Sequence, residues 1–136
     1  MIIVDTGVLY AFFVADDPDH DRAATLLTDP GETIVLSPLV VAELDYFVLK
    51  RFGVAGEIAT LQELTESRYE IAYFDDDDLY RCLSVIERFE DHAIGVTDAS
   101  LVVLADRYGT RRIATFDRRH FAALRSFDGQ PFTLLP

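Results

Sequence analysis

Short apolar runs alternate along the chain with longer segments in which apolar positions recur every three or four residues. The runs predict strands at Met1–Val4, Thr33–Leu36, Tyr69–Phe74, Arg112–Phe116 and Phe132–Leu134. The helical period predicts helices at Gly7–Ala15, His20–Leu27, Pro38–Phe52, Ala55–Ser67, Asp75–Phe89, Thr97–Tyr108 and Arg118–Leu124. Because strands and helices alternate, we predict an α/β fold: a parallel β-sheet flanked by α-helices on both faces.

Local signals predict several helix ends. Ser37 followed by Pro38 is a typical helix start, with the serine as N-cap and the proline in the first turn. Gly53 predicts a helix end, and Thr97 is the predicted N-cap of a later helix. The acidic run Asp75–Asp78 is interpreted as a negatively charged first helical turn rather than a metal site, because the helix dipole favours anions there.

Length and composition predict one domain, residues 1–136, with a sizeable core. Half of the 136 residues are hydrophobic, and the mean hydropathy is +0.16. The single cysteine, Cys82, excludes an intrachain disulfide. No apolar run is long enough to span a bilayer and no targeting signal is visible, so we expect a cytoplasmic protein without a membrane partner.

The charge distribution leaves two interpretations open. A net charge of −12 argues against a nucleic-acid partner, since phosphate binding needs a basic surface. Half of the basic residues, however, fall in one late stretch: Arg107, Arg111, Arg112, Arg118, Arg119 and Arg125. They form either a local basic patch or an ordinary solvated face.

One acidic residue lies where an apolar residue is expected. Glu43 shares a helix face with Leu39, Val40, Tyr46 and Phe47. An unpaired polar group on a buried face costs roughly 2–7 kcal/mol. No lysine or arginine lies one turn away to pair with it, so Glu43 is a candidate functional carboxylate.

Three further acids complete a candidate constellation. Asp5 and Asp117 each follow a predicted strand, and Asp98 begins a helix with an apolar face. Each of the three, taken alone, is better explained as a cap or turn residue than as a functional acid. Gathered with Glu43 at one sheet edge, they would repel one another unless a divalent cation were bound. Hard oxygen ligands favour Mg²⁺ or Mn²⁺, and no cysteine or histidine pair at zinc spacing competes.

Four motifs in register resemble those of PIN-domain ribonucleases over nearly the whole chain. The motifs are Ile3–Leu9, Ser37–Leu44, Thr97–Leu101 followed by Ala105–Gly109, and Ile113–Phe121. With its compact size, the chain resembles in particular the VapC toxins of type II toxin–antitoxin pairs.

The resemblance implies a fold, an activity and partners. It implies a PIN-like fold and Mg²⁺- or Mn²⁺-dependent endoribonuclease cleavage of structured RNA such as tRNA or rRNA, leaving 5′-phosphate and 3′-hydroxyl ends. It also implies a homodimer inhibited by a small VapB-like antitoxin. Asp5, Glu43 and Asp98 match the three main metal-binding and catalytic acids, and Asp117 matches the fourth.

Auxiliary roles are expected for a few neighbours of the acids. Thr6 and Thr115 match hydroxyl positions near the site of the family. Arg112, Arg118 and Arg119 are candidate contacts to RNA phosphates.

Two alternatives remain at this point. A haloacid-dehalogenase-like phosphatase also begins with a strand that ends in an acid, but it needs a second acid where this chain has Gly7 and a suitably placed lysine, and Lys50 is the only one. A non-catalytic PIN-like regulatory or binding module would keep the fold without the activity.

The remaining aromatic and histidine residues receive structural interpretations. We expect five aromatic residues to lie mainly in the core, with some of them forming a dimer or antitoxin groove: Tyr10, Phe12, Phe13, Tyr46 and Phe47. His20, His92 and His120 are expected to be structural or surface residues.

Overall fold

The computed structural model describes residues 1–29, 31–66 and 69–136. Its strands are β1 (Ile2–Val4), β2 (Ile34–Leu36), β3 (Glu70–Ile71), β4 (Arg112–Ala114) and β5 (Thr133–Leu135). Its helices are α1 (Thr6–Phe13), α2 (His20–Leu27), α3 (Pro38–Glu66), α4 (Asp76–Arg88), α5 (Val96–Arg107) and α6 (Arg118–Ala123), with a 3₁₀ turn at Glu90–His92. No helix in these ranges is both long and apolar enough to cross a membrane.

The five strands form one parallel sheet in the order β3-β2-β1-β4-β5. Ile3 in the central strand β1 lies level with Val35 of β2 and Ile113 of β4. Every residue of β1 and β2 is buried. Because successive side chains of a strand point to opposite faces, both faces of the sheet must be covered. The predicted α/β fold is therefore confirmed.

The strand order reverses between β1 and β4. From β1 the chain moves outward through β2 to β3, and it then returns to the other side of β1 to form β4 and β5. Ligands of open parallel sheets bind beyond the carboxyl ends of the strands at such a reversal, because the connections leave a crevice there. Residues that directly follow β1 and β4 are consequently well placed to contact a ligand.

The start and the middle of α3 follow the predicted signals. Ser37 Oγ accepts the backbone N–H of Leu39 at 3.2 Å, which confirms the serine as the helix cap. Ser100 Oγ in α5 donates to Ser37 Oγ at 2.8 Å, and this buried bond joins α5 to the start of α3. Gly53 has φ 71° and ψ −171°, a conformation that favours glycine, and it divides α3 into two helical segments as predicted.

Two local predictions are wrong. The cap of α5 is Gly95, whose extended backbone (φ −81°, ψ 168°) precedes the helix, so Thr97 lies inside the first turn. The predicted strand Tyr69–Phe74 is observed only as the two-residue strand β3. It is short because it is an edge strand with one partner, β2, and because the N-cap of α4 follows at Asp75. The predicted helix end at Ser67 lies outside the described residues.

The acidic run Asp75–Asp78, at the start of α4, has the predicted structural role. Asp75 Oδ1 accepts the N–H of Asp78 at 3.1 Å, and Asp78 Oδ2 accepts the N–H of Asp75 at 3.0 Å, which is a reciprocal capping box. Asp78 is only 2 % exposed, and it forms an ion pair with Arg107 of α5. Burial alone would raise the pKa of Asp78, but the bonds from Arg107 and Asp75 hold it below its usual value. This cluster therefore anchors α4 to α5.

Replacing Asp78 by alanine is expected to lower the free energy of unfolding by roughly 3 kcal/mol, because it leaves the Arg107 charge unpaired and removes half of the cap. Urea unfolding at neutral pH measures this loss. Because the pKa of Asp78 is lowered on folding, its contribution is present at neutral pH and is lost as the pH falls through the folded-state pKa. The control is Asp77→Ala, an exposed acid of the same turn, which should cost less than about 1 kcal/mol. Equal losses in the two variants would contradict this assignment.

Candidate active site

All four predicted acids line one pocket. The pocket has a volume of about 460 Å³ and lies where the chain leaves β1. Its lining residues are Asp5, Thr6, Gly7, Tyr10, Glu43, Phe47, Asp98 and Asp117. The acids come from four separate segments, so the fold itself brings them together.

Asp5 is the most constrained of the four. It directly follows β1, and its backbone N–H continues the sheet ladder to the carbonyl of Ala114 at 2.9 Å. Its Oδ1 accepts the N–H of Thr6 at 2.7 Å, and its Oδ2 accepts the hydroxyl of Thr115 at 2.7 Å. The side chain thus caps α1, one of the two roles considered for it, and it lines the pocket as well.

Glu43 faces the pocket from the first segment of α3. Its Oε2 accepts the hydroxyl of Thr6 at 2.5 Å, so the residue after Asp5 holds the second acid. Thr115 also accepts the N–H of Asp117 at 3.0 Å, and it thereby connects Asp5 with the fourth acid. The structure places both predicted threonine hydroxyls in direct contact with the acidic residues.

Burial and mutual repulsion shift the pKa values of two acids upward. Desolvation raises the pKa of Asp5 to about 6; the Thr115 bond opposes this rise, and the charges of Asp98 and Glu43 add to it. Burial also raises the pKa of Asp98, with further contributions from the charges of Asp117 and Glu43. The neighbouring negative charges therefore disfavour the ionised forms of Asp5 and Asp98.

Asp117 has a partner that was not expected from the sequence. Burial alone would raise its pKa, but the N–H of His120 donates to Oδ1 at 3.1 Å and His120 Nδ1 lies 2.7 Å from Oδ2, and the pKa of Asp117 is lowered. The sequence predicts only a structural or surface role for His120. Its contact with Asp117 could have been inferred from the spacing of three residues between them at a helix start, which brings both side chains to one face.

The donor set fits a hard divalent cation. Within the described part of the chain, no lysine or arginine forms an ion pair with Asp5, Glu43 or Asp98. Carboxylate and hydroxyl oxygens with uncompensated negative charge are typical ligands of Mg²⁺ and Mn²⁺. As placed, no three described His, Cys, Asp or Glu side chains are grouped closely enough to hold an ion. Binding an ion therefore requires the carboxylates to turn toward one another.

The three candidate RNA-binding arginines do not lie together. Arg112 begins β4, at the amino edge of the sheet, and it forms an ion pair with Glu32 at 2.6 Å. It lies at the sheet edge opposite the acids, since the pocket is at the carboxyl edge. Arg118 and Arg119 follow Asp117 on α6; Arg118 donates to the carbonyl of Pro136 at 2.5 Å, and the charge of Arg119 contributes to the lowered pKa of Asp117.

The late basic residues do not form a single patch either. Arg107 pairs with Asp78, Arg112 pairs with Glu32, and Arg125 donates to backbone carbonyls next to it. These three arginines are therefore not members of one basic patch, because separate acids and carbonyls bind their guanidinium groups.

The aromatic residues near the site divide into two groups. Tyr10, Phe12 and Phe13 are partly buried and pack against the core. Tyr46 and Phe47 are 59 % and 43 % exposed, so they are the two of these five aromatic residues that lie outside the core. The helical face that carries Glu43 and Phe47 turns toward the open pocket instead of the sheet.

Comparison with known proteins identifies the family. A PIN-domain family model matches residues 2–126. The chain is 44 % identical over 135 residues to Ribonuclease VapC26 of Mycobacterium tuberculosis, an alignment that covers 99 % of this chain and 100 % of the relative. The crystal structure of Mycobacterium tuberculosis VapC20, a Sarcin-Ricin loop cleaving toxin, superposes with a TM-score of 0.81 at 20 % identity, covering 90 % of this chain and 95 % of VapC20.

A second solved structure extends the fold match to the full chain. VapBC2 from Rickettsia felis, bound to a DNA fragment from its promoter, has a TM-score of 0.70 at 19 % identity, with 100 % of both chains covered. The fold match confirms the predicted PIN-like architecture. The alignment to VapC26 adds a relation in sequence over the full length of that relative. The chain therefore belongs to the PIN-domain family and, within it, to the VapC ribonucleases.

Proposed function

We propose that this protein is the toxin of a type II toxin–antitoxin pair and that it hydrolyses phosphodiester bonds of structured RNA, such as tRNA or rRNA, in the cytoplasm with Mg²⁺ or Mn²⁺. The observation that carries the proposal is the pocket lined by Asp5, Glu43, Asp98 and Asp117, in which no described lysine or arginine forms an ion pair with the first three. The ribonuclease activity of VapC26, the 44 % identical relative, supports the same reaction class. Membership of the PIN-domain family leaves no basis for a haloacid-dehalogenase-like phosphatase.

Each acid has a defined part in the proposed site. Asp5, Glu43 and Asp98 would hold the divalent ion, and Asp117, which also lines the pocket, would contribute a fourth carboxylate. When bound, the ion acidifies a water molecule for attack on phosphorus and neutralises the negative charge that develops on the phosphate. In the metal-free protein Thr6 and Thr115 donate hydrogen bonds to Glu43 and Asp5, and each bonded carboxylate oxygen retains a lone pair for a ligand.

Substrate phosphates need positive charge near this acidic pocket. Arg118 and Arg119 are exposed on α6, directly after Asp117, and we assign them contacts to RNA phosphates that flank the cleaved bond. Arg112 is not included in this role because it is paired at the opposite edge of the sheet.

A cognate VapB-like antitoxin is the proposed protein partner. The solved relatives include VapBC2 of Rickettsia felis and a toxin–antitoxin complex from Klebsiella pneumoniae. An antitoxin that covers the acidic pocket would exclude RNA and so keep the enzyme inactive. Supplying a cation to the unpaired carboxylates is one way in which such a partner would bind.

The nuclease proposal predicts metal-dependent cuts in RNA. Purified, antitoxin-free protein incubated with total bacterial RNA should produce discrete cuts with Mg²⁺ or Mn²⁺ and none with EDTA. Asp5→Asn and Glu43→Gln should each lower the cleavage rate by roughly 100-fold or more, because they remove charged ligands from the ion. The control is Asp21→Asn, an exposed acid in the first turn of α2, which should leave the rate unchanged. Cleavage by Asp5→Asn at the wild-type rate would contradict the assignment, and 2′,3′-cyclic phosphate ends would contradict the hydrolytic route.

The raised pKa of Asp5 predicts an unusual effect on stability. Because folding raises this pKa from 3.8 to about 6, the ionised carboxylate destabilises the metal-free protein by up to about 3 kcal/mol at neutral pH. The metal-free protein therefore has its full free energy of unfolding below about pH 4, where Asp5 is protonated in both states. Part of that free energy is lost as the pH rises through about 6 and Asp5 ionises in the folded protein. Asp5→Asn should raise the free energy of unfolding at neutral pH in EDTA.

Urea unfolding across this pH range, with EDTA or saturating Mg²⁺, measures the effect. The advantage of Asp5→Asn over wild type should grow as the pH rises and should shrink when Mg²⁺ is added, since the ion stabilises the wild-type carboxylates. A difference between the two proteins that changes with neither pH nor Mg²⁺ would show that Asp5 is not a strained metal ligand.

A further inference from the structure

A row of three aromatic rings borders the acidic pocket. Tyr10 and Phe47 line the pocket itself, and their ring centroids lie 6.1 Å apart with an interplanar angle of 72°. Tyr46 continues the row, with its centroid 5.5 Å from that of Phe47 at 71°. We call Tyr10, Phe47 and Tyr46 the aromatic row. It extends from the carboxylates outward onto the surface.

The outer two rings of the row are open to solvent. Tyr46 is 59 % exposed and Phe47 is 43 % exposed, although burial of such rings is strongly favourable. Phe47 follows Glu43 by one helical turn on α3, so its ring and the carboxylate share one side of the helix. A molecule that places a phosphate at the acids therefore places its adjoining group against these rings.

Positive charge accompanies the row. The Lys50 ammonium lies 6.0 Å from the Tyr46 ring centroid, and Lys50 forms no ion pair within the described ranges. Arg51 donates to the Tyr10 hydroxyl at 3.2 Å and binds both oxygens of Asp16, which fixes the inner ring. The row thus combines flat apolar faces with a free cation, the pairing that suits a nucleotide.

The other exposed apolar residues of α3 lie outside the acidic pocket. Leu49, Phe52, Val54, Ile58 and Leu61 are exposed, but unlike Phe47 none of them lines that pocket. Proteins that recognise unpaired RNA bases stack them on aromatic side chains.

We propose that Tyr46 and Phe47 form a stacking platform for an unpaired base beside the phosphate that is cleaved, with Lys50 contacting a neighbouring phosphate. This inference rests on the proposed ribonuclease function and assigns residues of this chain to the contact with a base next to the cleaved bond. The platform tolerates different bases, because every base presents a flat face for stacking.

Binding measured without cleavage tests the platform. In an Asp5→Asn background, the probes are stem–loop RNAs with 2-aminopurine at successive loop positions and a fully paired duplex of equal length. At one loop position, stacking should quench the fluorescence on binding. Tyr46→Leu and Phe47→Leu should each abolish the quenching and weaken loop binding by roughly 5- to 150-fold, the usual worth of one stacked base, with duplex binding unchanged.

Matched variants separate stacking from general apolar contact. Tyr46→Phe keeps the ring and should bind like the parent, and Ile58→Ala beyond Gly53 should also bind like the parent. Since these positions are exposed, thermal melting should show that all variants are folded. Unchanged loop binding in both leucine variants would overturn the platform, and so would variants that keep RNA affinity but lose affinity for a co-expressed antitoxin.

The test is independent of the nuclease proposal. If wild-type protein cuts no RNA but the leucine variants lose quenching and loop affinity, the platform stands and the catalytic proposal fails. If wild type cuts RNA and the leucine variants cut loops at the same rate, the catalytic proposal stands and the platform fails.

Discussion

Electrostatic repulsion among carboxylates that the fold holds together is the constraint on which the site depends. Asp5 cannot move away from the pocket, because its N–H belongs to the sheet ladder and its two oxygens are held by Thr6 and Thr115. The charges of Asp98 and Glu43 act on it, no lysine or arginine in the described ranges forms an ion pair with these three acids, and the pKa of Asp5 rises to about 6. A protein that gained only stability from these positions would have neutral residues there. The arrangement is instead explained by a ligand that supplies positive charge.

The rest of the fold brings the acids to that position. The parallel order of the strands puts Asp5 and Asp117 after two adjacent central strands, and the reversal of strand order opens the crevice between them. Ser37 starts α3 just beyond β2, and its bond to Ser100 fixes the relative position of the helices that carry Glu43 and Asp98. The same helix presents Phe47 and Tyr46 beside the acids, so one element contributes both to the chemistry and to the proposed recognition of bases.

Much of this structure follows from the sequence. The exceptions all depend on how separate elements and side chains are placed relative to one another, which local patterns do not show. Alternating apolar runs and helix-capping residues such as Ser37 and Gly53 act locally, so the element order and the four acids were predictable. Tyr46 and Phe47 could not be singled out as the exposed aromatic residues, because helical spacing identifies an apolar face but not whether another element covers it. Arg112 is close in sequence to Arg118 and Arg119, but it begins β4 whereas they follow that strand, so it lies at the other edge of the sheet. The partner of Asp117, His120, depends on rotamers that spacing only suggests.

The most direct test of the central claim is calorimetric titration of Mn²⁺ into the metal-free protein, beside Glu43→Gln and Asp21→Asn. If the pocket is a divalent-metal site, wild type and Asp21→Asn bind Mn²⁺ alike, and Glu43→Gln weakens binding by about tenfold or more. Equal Mn²⁺ affinity in all three proteins, each shown to be folded, would contradict the claim that the clustered carboxylates exist to hold a metal ion.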